Sequence, residues 1–187
     1  MKIDHVLIGW WIALVSGLTT TVPAMAQSDG IELLSGSVVL LRHATAPGVG
    51  DPDNFNLNDC STQRNLSNEG RAQARRIGAF FGRQRVAVNL VWSSQWCRTR
   101  DTADLAFPGK RLDQAVFNSF FGEPGSAPSQ TSAALSLLET WRGDGLLVVV
   151  THQVNITALT GWIPTSGEAV VLRRQGGKWV ATARFTP

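Results

Sequence analysis

Val38-Val39-Leu40-Leu41-Arg42-His43 and Leu146-Leu147-Val148-Val149-Val150-Thr151-His152 share one pattern: an unbroken aliphatic run that ends at a histidine. A strand wetted on one face alternates apolar and polar side chains, whereas a strand covered on both faces does not. Both runs therefore read as buried strands, over 38–41 and 146–150, and each brings a histidine to its carboxyl end. A third strand is expected over 86–92, ending at Ser93-Ser94. In open α/β sheets that edge is where ligands bind.

Helical segments separate these strands. Ser67 reads as the N-cap of a helix over 68–82, with Ala74, Ile77, Ala79, Phe80 and Phe81 on its apolar face. Ser93-Ser94 can cap a helix that passes through Arg98 and Thr102 to Ala106, where Phe107-Pro108-Gly109 ends it. A short strand is expected near 112–117, a loop over 122–128, a helix over 129–141 carrying Ala133, Leu135, Leu137 and Leu138, and a short helix over 155–161. Residues 168–174 and 178–185 flank Gly176-Gly177 as a hairpin. Strands alternating with helices predict an α/β three-layer sandwich with a mainly parallel central sheet and an antiparallel end. Residues 44–64 form a long polar loop, and loops of that length in compact domains tend to be functional or mobile.

The chain has 187 residues, of which 43% are hydrophobic and 17% charged, a globular composition for one domain. Lys2 precedes an apolar run over 6–18, and Pro23-Ala24-Met25-Ala26 offers the small-x-small pattern of a signal-peptidase site. Cleavage after Ala26 is expected, leaving one domain over 27–187 in a periplasmic or secreted location. The alternative is a retained anchor, but the run falls short of the roughly 20 apolar residues of a spanning helix. Removal of His5 leaves His43 and His152 as the histidines of the domain.

Cys60 and Cys97 survive cleavage, and an even pair in an oxidising compartment reads as a disulfide. A zinc site is disfavoured, since no C-x2-C or H-x3-H spacing is present. The net charge of +3 is mild and the arginines Arg71, Arg75, Arg76, Arg83 and Arg85 read as a solvated helix face, so no nucleic-acid partner is expected. Arg64 and Arg100 read as loop and helix-face charges. Glu168 reads as a solvated hairpin residue, with a place at the substrate rim as the alternative.

Arg42 beside the first histidine and Arg98 after the third strand can converge with His43 and His152. Guanidinium forks suit phosphoryl oxygens, and a neutral imidazole can attack phosphorus. Leu41-Arg42-His43-Ala44 resembles the arginine-histidine-glycine signature of the histidine phosphatase superfamily, with its phosphoglycerate mutase-like fold. Leu66-Ser67-Asn68-Glu69-Gly70-Arg71-Ala72-Gln73-Ala74 is similar to that family's first helix. Ser93-Ser94 with Arg98 and Thr102-Ala103 is similar to its second arginine motif, and Val150-Thr151-His152 to its second histidine.

The resemblance implies that His43 is the nucleophile that becomes phosphorylated, with Arg42, Arg98 and His152 completing the phosphate pocket and no metal or cofactor. It also implies an acidic proton donor between the second arginine and the second histidine. Glu123 is the best-placed candidate there, with His152 or water as alternatives in a chain that has no tyrosine. The chain departs from the family pattern at Ala44, where glycine is commoner, which is harmless if the backbone has negative φ. It departs again at Gln153, which can shape the pocket rim or donate to substrate. A Cys60–Cys97 bridge would pin the 44–64 loop over the site.

The expected activity is an exported phosphomonoesterase. It resembles the exported bacterial branch of the family that includes phosphatases acting on lipopolysaccharide-core heptose phosphate, which implies a sugar phosphate of the envelope as substrate. Export argues against a glycolytic mutase, and the chain is too short for the extra helical domain of the phytase-like acid phosphatases. The rival from another class is a phosphate-binding or sensing domain that keeps the pocket without turnover.

Overall fold

The two aliphatic runs lie side by side at the centre of a six-stranded sheet in the computed structural model, which describes residues 33–187. The segment read as a signal peptide lies outside the described residues. In chain order the elements are β1 (Val38–Arg42), α1 (Asn68–Gly82), β2 (Val88–Ser93), α2 (Cys97–Ala106), β3 (Arg111–Asp113), α3 (Ala127–Leu138), β4 (Leu146–Thr151), α4 (Gln153–Thr160), β5 (Ala169–Gln175) and β6 (Lys178–Phe185). The strand order is β3-β2-β4-β1-β5-β6. β1, β2, β3 and β4 run parallel, and β5 and β6 add antiparallel. This is the three-layer α/β sandwich expected from the sequence.

Successive strand residues point to opposite faces, so each central strand feeds two cores. Val39, Leu41, Val148 and Val150 pack with Ile77 and Phe81 of α1 and Ala103 and Ala106 of α2. Val38, Leu40, Leu147 and Val149 pack with Ala134 and Leu138 of α3 and Ile156 of α4. Every residue of β4 is buried, which explains the missing polar alternation.

α1 starts where the sequence places it, with the Ser67 hydroxyl accepting from the Gly70 N–H at 3.0 Å. Its buried face is Gly70, Ala74, Ile77 and Phe81, while Ala79 is exposed. A Cβ on Gly70 would lie 2.0 Å from the Thr45 carbonyl oxygen, so only glycine lets this helix rest on the backbone just past His43.

Several boundaries differ from the sequence reading. α2 begins at Cys97 with Trp96 as N-cap, and Ser93-Ser94 do not cap it. Ser93 is instead the last residue of β2, paired with Val150 of β4. The strand expected at 112–117 is the three-residue β3 followed by a 3-10 turn at Ala115–Phe117. α3 starts earlier, with Pro128 in its first turn, where a missing N–H costs no helix bond. It buries Ala134 and Leu138 and leaves Ala133 and Leu135 exposed. α4 begins at Gln153, directly after the second histidine, and ends at Gly161 with φ 76°.

Candidate active site

Parallel pairing aligns the ends of β1, β4 and β2. Arg42 lies opposite Thr151 and Ser93 opposite Val150, and the His43 N–H extends the ladder to the Thr151 carbonyl at 3.0 Å. His43 and His152 thus leave neighbouring strands at the same level. Their rings meet edge to face with centroids 5.5 Å apart. α2, which follows β2, brings Arg98 to the same edge.

All six residues singled out from the sequence line one cavity of about 610 Å³: Arg42, His43, Arg98, Glu123, His152 and Gln153. Its wall also holds Asp51 and Arg64 from the long loop, and aromatic side chains from Phe55, Trp96 and Phe121.

His43 is buried, and its Nδ1 lies 2.7 Å from the Ala44 carbonyl oxygen. A carbonyl can only accept, so Nδ1 carries the hydrogen and Nε2 keeps a free lone pair. Burial, together with the charges of Arg98, Arg42 and Arg64, lowers the His43 pKa to about 3 against the hydrogen bond to Ala44, so the ring is neutral near pH 7. Ala44 causes no strain, because no non-glycine residue among those described has positive φ. Its N–H donates to the Thr102 hydroxyl at 3.0 Å, which ties β1's end to α2.

His152 is fully buried and is held well below its ordinary pKa by that burial first, then by His43 and the three arginines. Its Nε2 lies 2.8 Å from the Ser94 hydroxyl. The same hydroxyl donates to the Asn118 amide oxygen at 3.3 Å, which ties His152 to the segment after β3. Ser94 therefore orients the second histidine rather than starting a helix.

The arginines are anchored at one edge and unpartnered at another. Arg42 donates from Nη1 to the Pro164 carbonyl at 2.9 Å, while its Nε is buried without a partner. Arg98 is 3% exposed and donates from Nη1 and Nη2 to the two carboxylate oxygens of Asp51 at 2.6 and 3.1 Å. Its Nε is also buried and unpartnered. Buried donors without acceptors are costly and call for a ligand or water. Two such N–H groups on the walls of one cavity fit an oxyanion.

Arg64 reads as a loop charge in the sequence, but the structure places it on the cavity wall. Its Nε donates to the Gly50 carbonyl at 2.8 Å and its Nη1 to the Ala46 carbonyl. Partial burial and the neighbouring Arg98 lower its pKa, so a third cation contributes to the site. A signal for it exists: Arg64 stands three residues before the Ser67 cap, and the Ser67 N–H bonds to Thr45, two residues past His43. Asp51 has no such signal among loop residues. Arg100 does behave as a surface residue and pairs with Asp113 at 2.6 Å. Glu168 staples its own turn by accepting from the Thr165 N–H at 2.8 Å.

Cys60 and Cys97 form a disulfide, with Cα atoms 5.7 Å apart. It joins the long loop to the first residue of α2, immediately before Arg98. Gln63 reinforces the junction by accepting the Cys97 N–H at 2.9 Å, and Phe55 stacks on Trp96 with ring centroids 5.0 Å apart. Glu123 sits on an exposed loop at the rim, and Gln153 occupies the first turn of α4. Glu123's carboxylate holds no hydrogen bond among the described residues.

The model of the histidine phosphatase superfamily (branch 1) matches residues 38–117, from β1 through the turn after β3. Among solved structures, a functionally characterised open-reading-frame product of Mycobacterium tuberculosis is 18% identical with a TM-score of 0.59, covering 79% of this chain and 95% of its own. A mycobacterial glucosyl-3-phosphoglycerate phosphatase in complex with inorganic phosphate is 16% identical with a TM-score of 0.58, covering 79% and 95%. The protein histidine phosphatase SixA in complex with tungstate is 15% identical with a TM-score of 0.57, covering 80% and 96%. A search of curated proteins returns no significant match. Over β1 to the turn after β3, which carry His43 and Arg98, the chain matches the histidine phosphatase superfamily model, and its fold is the one these solved structures share.

Proposed function

We propose that this protein is an exported, metal-independent phosphomonoesterase that works through a phosphohistidine on His43. One observation carries the proposal: a buried, neutral imidazole with a free Nε2 lies among guanidinium groups whose Nε–H donors lack partners.

In the first step Nε2 of His43 attacks phosphorus and the bond to the ester oxygen breaks. The leaving oxygen takes a proton, with Glu123 at the rim as the donor. Arg42, Arg64 and Arg98 hold the equatorial oxygens as charge spreads over them, with the His152 ring beside them. The Ala44 carbonyl stabilises positive charge on the His43 ring. In the second step water attacks phosphorus, the N–P bond breaks and its electrons return to Nε2. The water's proton goes to the carboxylate left by the first step.

The cavity is larger than one phosphate needs, and the aromatic side chains on its wall leave room for an organic leaving group such as a sugar. Gln153 at the rim can donate to that group. The structural relatives named as phosphatases support hydrolysis as the reaction. Support for export comes from the residues before Gln27, which read as a signal segment cleaved after Ala26, and from the disulfide. Among the described residues no helix is long and apolar enough to cross a membrane.

The competing function, phosphate binding without turnover, draws on the unanchored Glu123 carboxylate, which lacks a fixed position for proton transfer. Turnover of p-nitrophenyl phosphate in the presence of a chelator separates the two. An enzyme hydrolyses it and the His43→Ala variant does not. Anion binding with no turnover by the wild type would establish the binder.

A further inference from the structure

Arg98 has two edges that can each hold an oxyanion: the end formed by Nη1 and Nη2, and the side formed by Nε and Nη2. Asp51 occupies the end, at 2.6 and 3.1 Å. Nη1 also reaches the Arg64 carbonyl at 3.3 Å. On the side, the Nε–H is buried with no acceptor.

Asp51 is itself fully engaged. Oδ1 accepts from Arg98 Nη1 and from the Arg64 backbone N–H at 3.0 Å, and Oδ2 accepts from Arg98 Nη2 and from the Trp96 indole N–H at 3.0 Å. A carboxylate has about four lone-pair sites, so the group is saturated. Burial alone would make it harder to ionise, but these donors and the Arg98 charge hold it ionised.

We infer that Asp51 is a positioning residue for the phosphoryl site: it grips Arg98 end-on so that the Nε–Nη2 side faces the anion, and it fixes Arg64 and Trp96 around the same point. The inference rests on the pocket taking a phosphoryl group. The alternative role, a built-in competitor that occupies Arg98 until phosphate displaces it, would strand the Arg64 N–H and the Trp96 N–H together. Those partners favour a permanent brace. Asp51 also balances charge, since three arginines and one carboxylate leave two net positive charges to meet a phosphate monoester dianion.

The two roles give opposite signs for Asp51→Asn. The amide keeps one acceptor oxygen and turns an NH2 toward groups that are themselves donors, so the brace fails. Removing a negative charge beside three arginines would, on charge alone, tighten anion binding. A brace predicts that D51N binds orthovanadate roughly ten- to a hundredfold more weakly than wild type, the usual cost of losing hydrogen bonds to a charged group. KM rises, and the unliganded melting temperature falls as well, because the buried Arg98 loses its paired charge. Equal or tighter vanadate binding by D51N overturns the role of Asp51 alone. Wild-type protein that binds neither vanadate nor phosphate overturns the phosphate reading and this inference with it.

A crystal structure of the wild type with orthophosphate gives a check that needs no variant. A phosphate on Arg98 Nε and Nη2, with Asp51 still on Nη1 and Nη2, is the expected result. A phosphate on the Nη1–Nη2 end, with Asp51 turned away, overturns the proposal.

Discussion

The imidazole rings of His43 and His152 stand 5.5 Å apart and nearly perpendicular, although their residues are separated by most of the sheet's connections. Adjacent parallel strands in register place them so, with the His43 N–H bonded to the residue before His152. Each ring has its other nitrogen committed, His43 to Ala44 and His152 to Ser94. The pair is therefore oriented before any ligand arrives.

Holding two histidines neutral in a buried site makes the fold sensitive to acid. The His43 pKa falls from 6.5 to about 3, so the unfolded chain binds a proton below pH 6.5 that the folded protein refuses. Stability is complete above that pH and declines as pH falls toward 3. For His43 alone the loss at pH 5 is about 2 kcal/mol. Urea unfolding at pH 7 and pH 5 should show wild type losing more stability than His43→Asn, and equal losses would contradict the buried neutral state.

The Ser94 hydroxyl should matter for catalysis more than for folding. Ser94→Ala removes the hydrogen-bond partner that orients the His152 ring, and loss of one such hydrogen bond is worth on the order of 1 kcal/mol or more. A kcat reduced about five- to fiftyfold, with the far-ultraviolet spectrum unchanged, is expected from steady-state kinetics.

Arg64 and Arg100 both lie close to Arg98 in the sequence or the fold, yet only Arg64 lines the cavity. Arg64→Ala is expected to raise KM for a phosphomonoester at least tenfold. Arg100→Ala should leave it within about twofold, since partly exposed ion pairs contribute little. Similar effects from both substitutions would remove Arg64 from the site.

The disulfide links two residues 37 apart in sequence and anchors the end of the segment that carries Asp51 and Arg64. The chain-entropy account assigns such a link about 3–4 kcal/mol. Cys60→Ser with Cys97→Ser should lower the melting temperature and weaken vanadate binding together, as should reduction with dithiothreitol. Calorimetry with and without vanadate measures both effects.

Gly70 tests the contact that seats α1 behind His43. Gly70→Ala would normally favour a helix, but its Cβ would meet the Thr45 carbonyl at 2.0 Å. A destabilisation of about 1–3 kcal/mol is expected from denaturant melts, in the range of overpacking. A stabilised variant would show that the helix can shift without cost.

The central sheet is legible in the sequence because β1 and β4 are covered on both faces, and an unbroken short aliphatic run bounded by polar residues is the mark of a strand hidden from water. The histidines and the arginines Arg42 and Arg98 follow from those strand ends. Asp51 is not legible, and Arg64 only through its spacing from the Ser67 cap, since loop positions acquire their meaning when the 44–64 segment folds back over α2. The Ser93-Ser94 pair reads as a cap because a serine before a helix usually serves as one. Here the ladder extends past β2, with the Ser94 N–H bonded to Val150, and turns the hydroxyl to His152. Ala79, Ala133 and Leu135 mislead in the same way, because alanine and leucine favour helices at exposed positions as well as buried ones.

The most direct test of the account is rapid-quench trapping with a 32P-labelled phosphomonoester, followed by peptide mapping under alkaline conditions that preserve phosphohistidine. The account predicts an acid-labile phosphoenzyme whose label maps to His43 and is absent from His43→Ala. Turnover that proceeds with no trapped intermediate, or a label that maps to another residue, would contradict it.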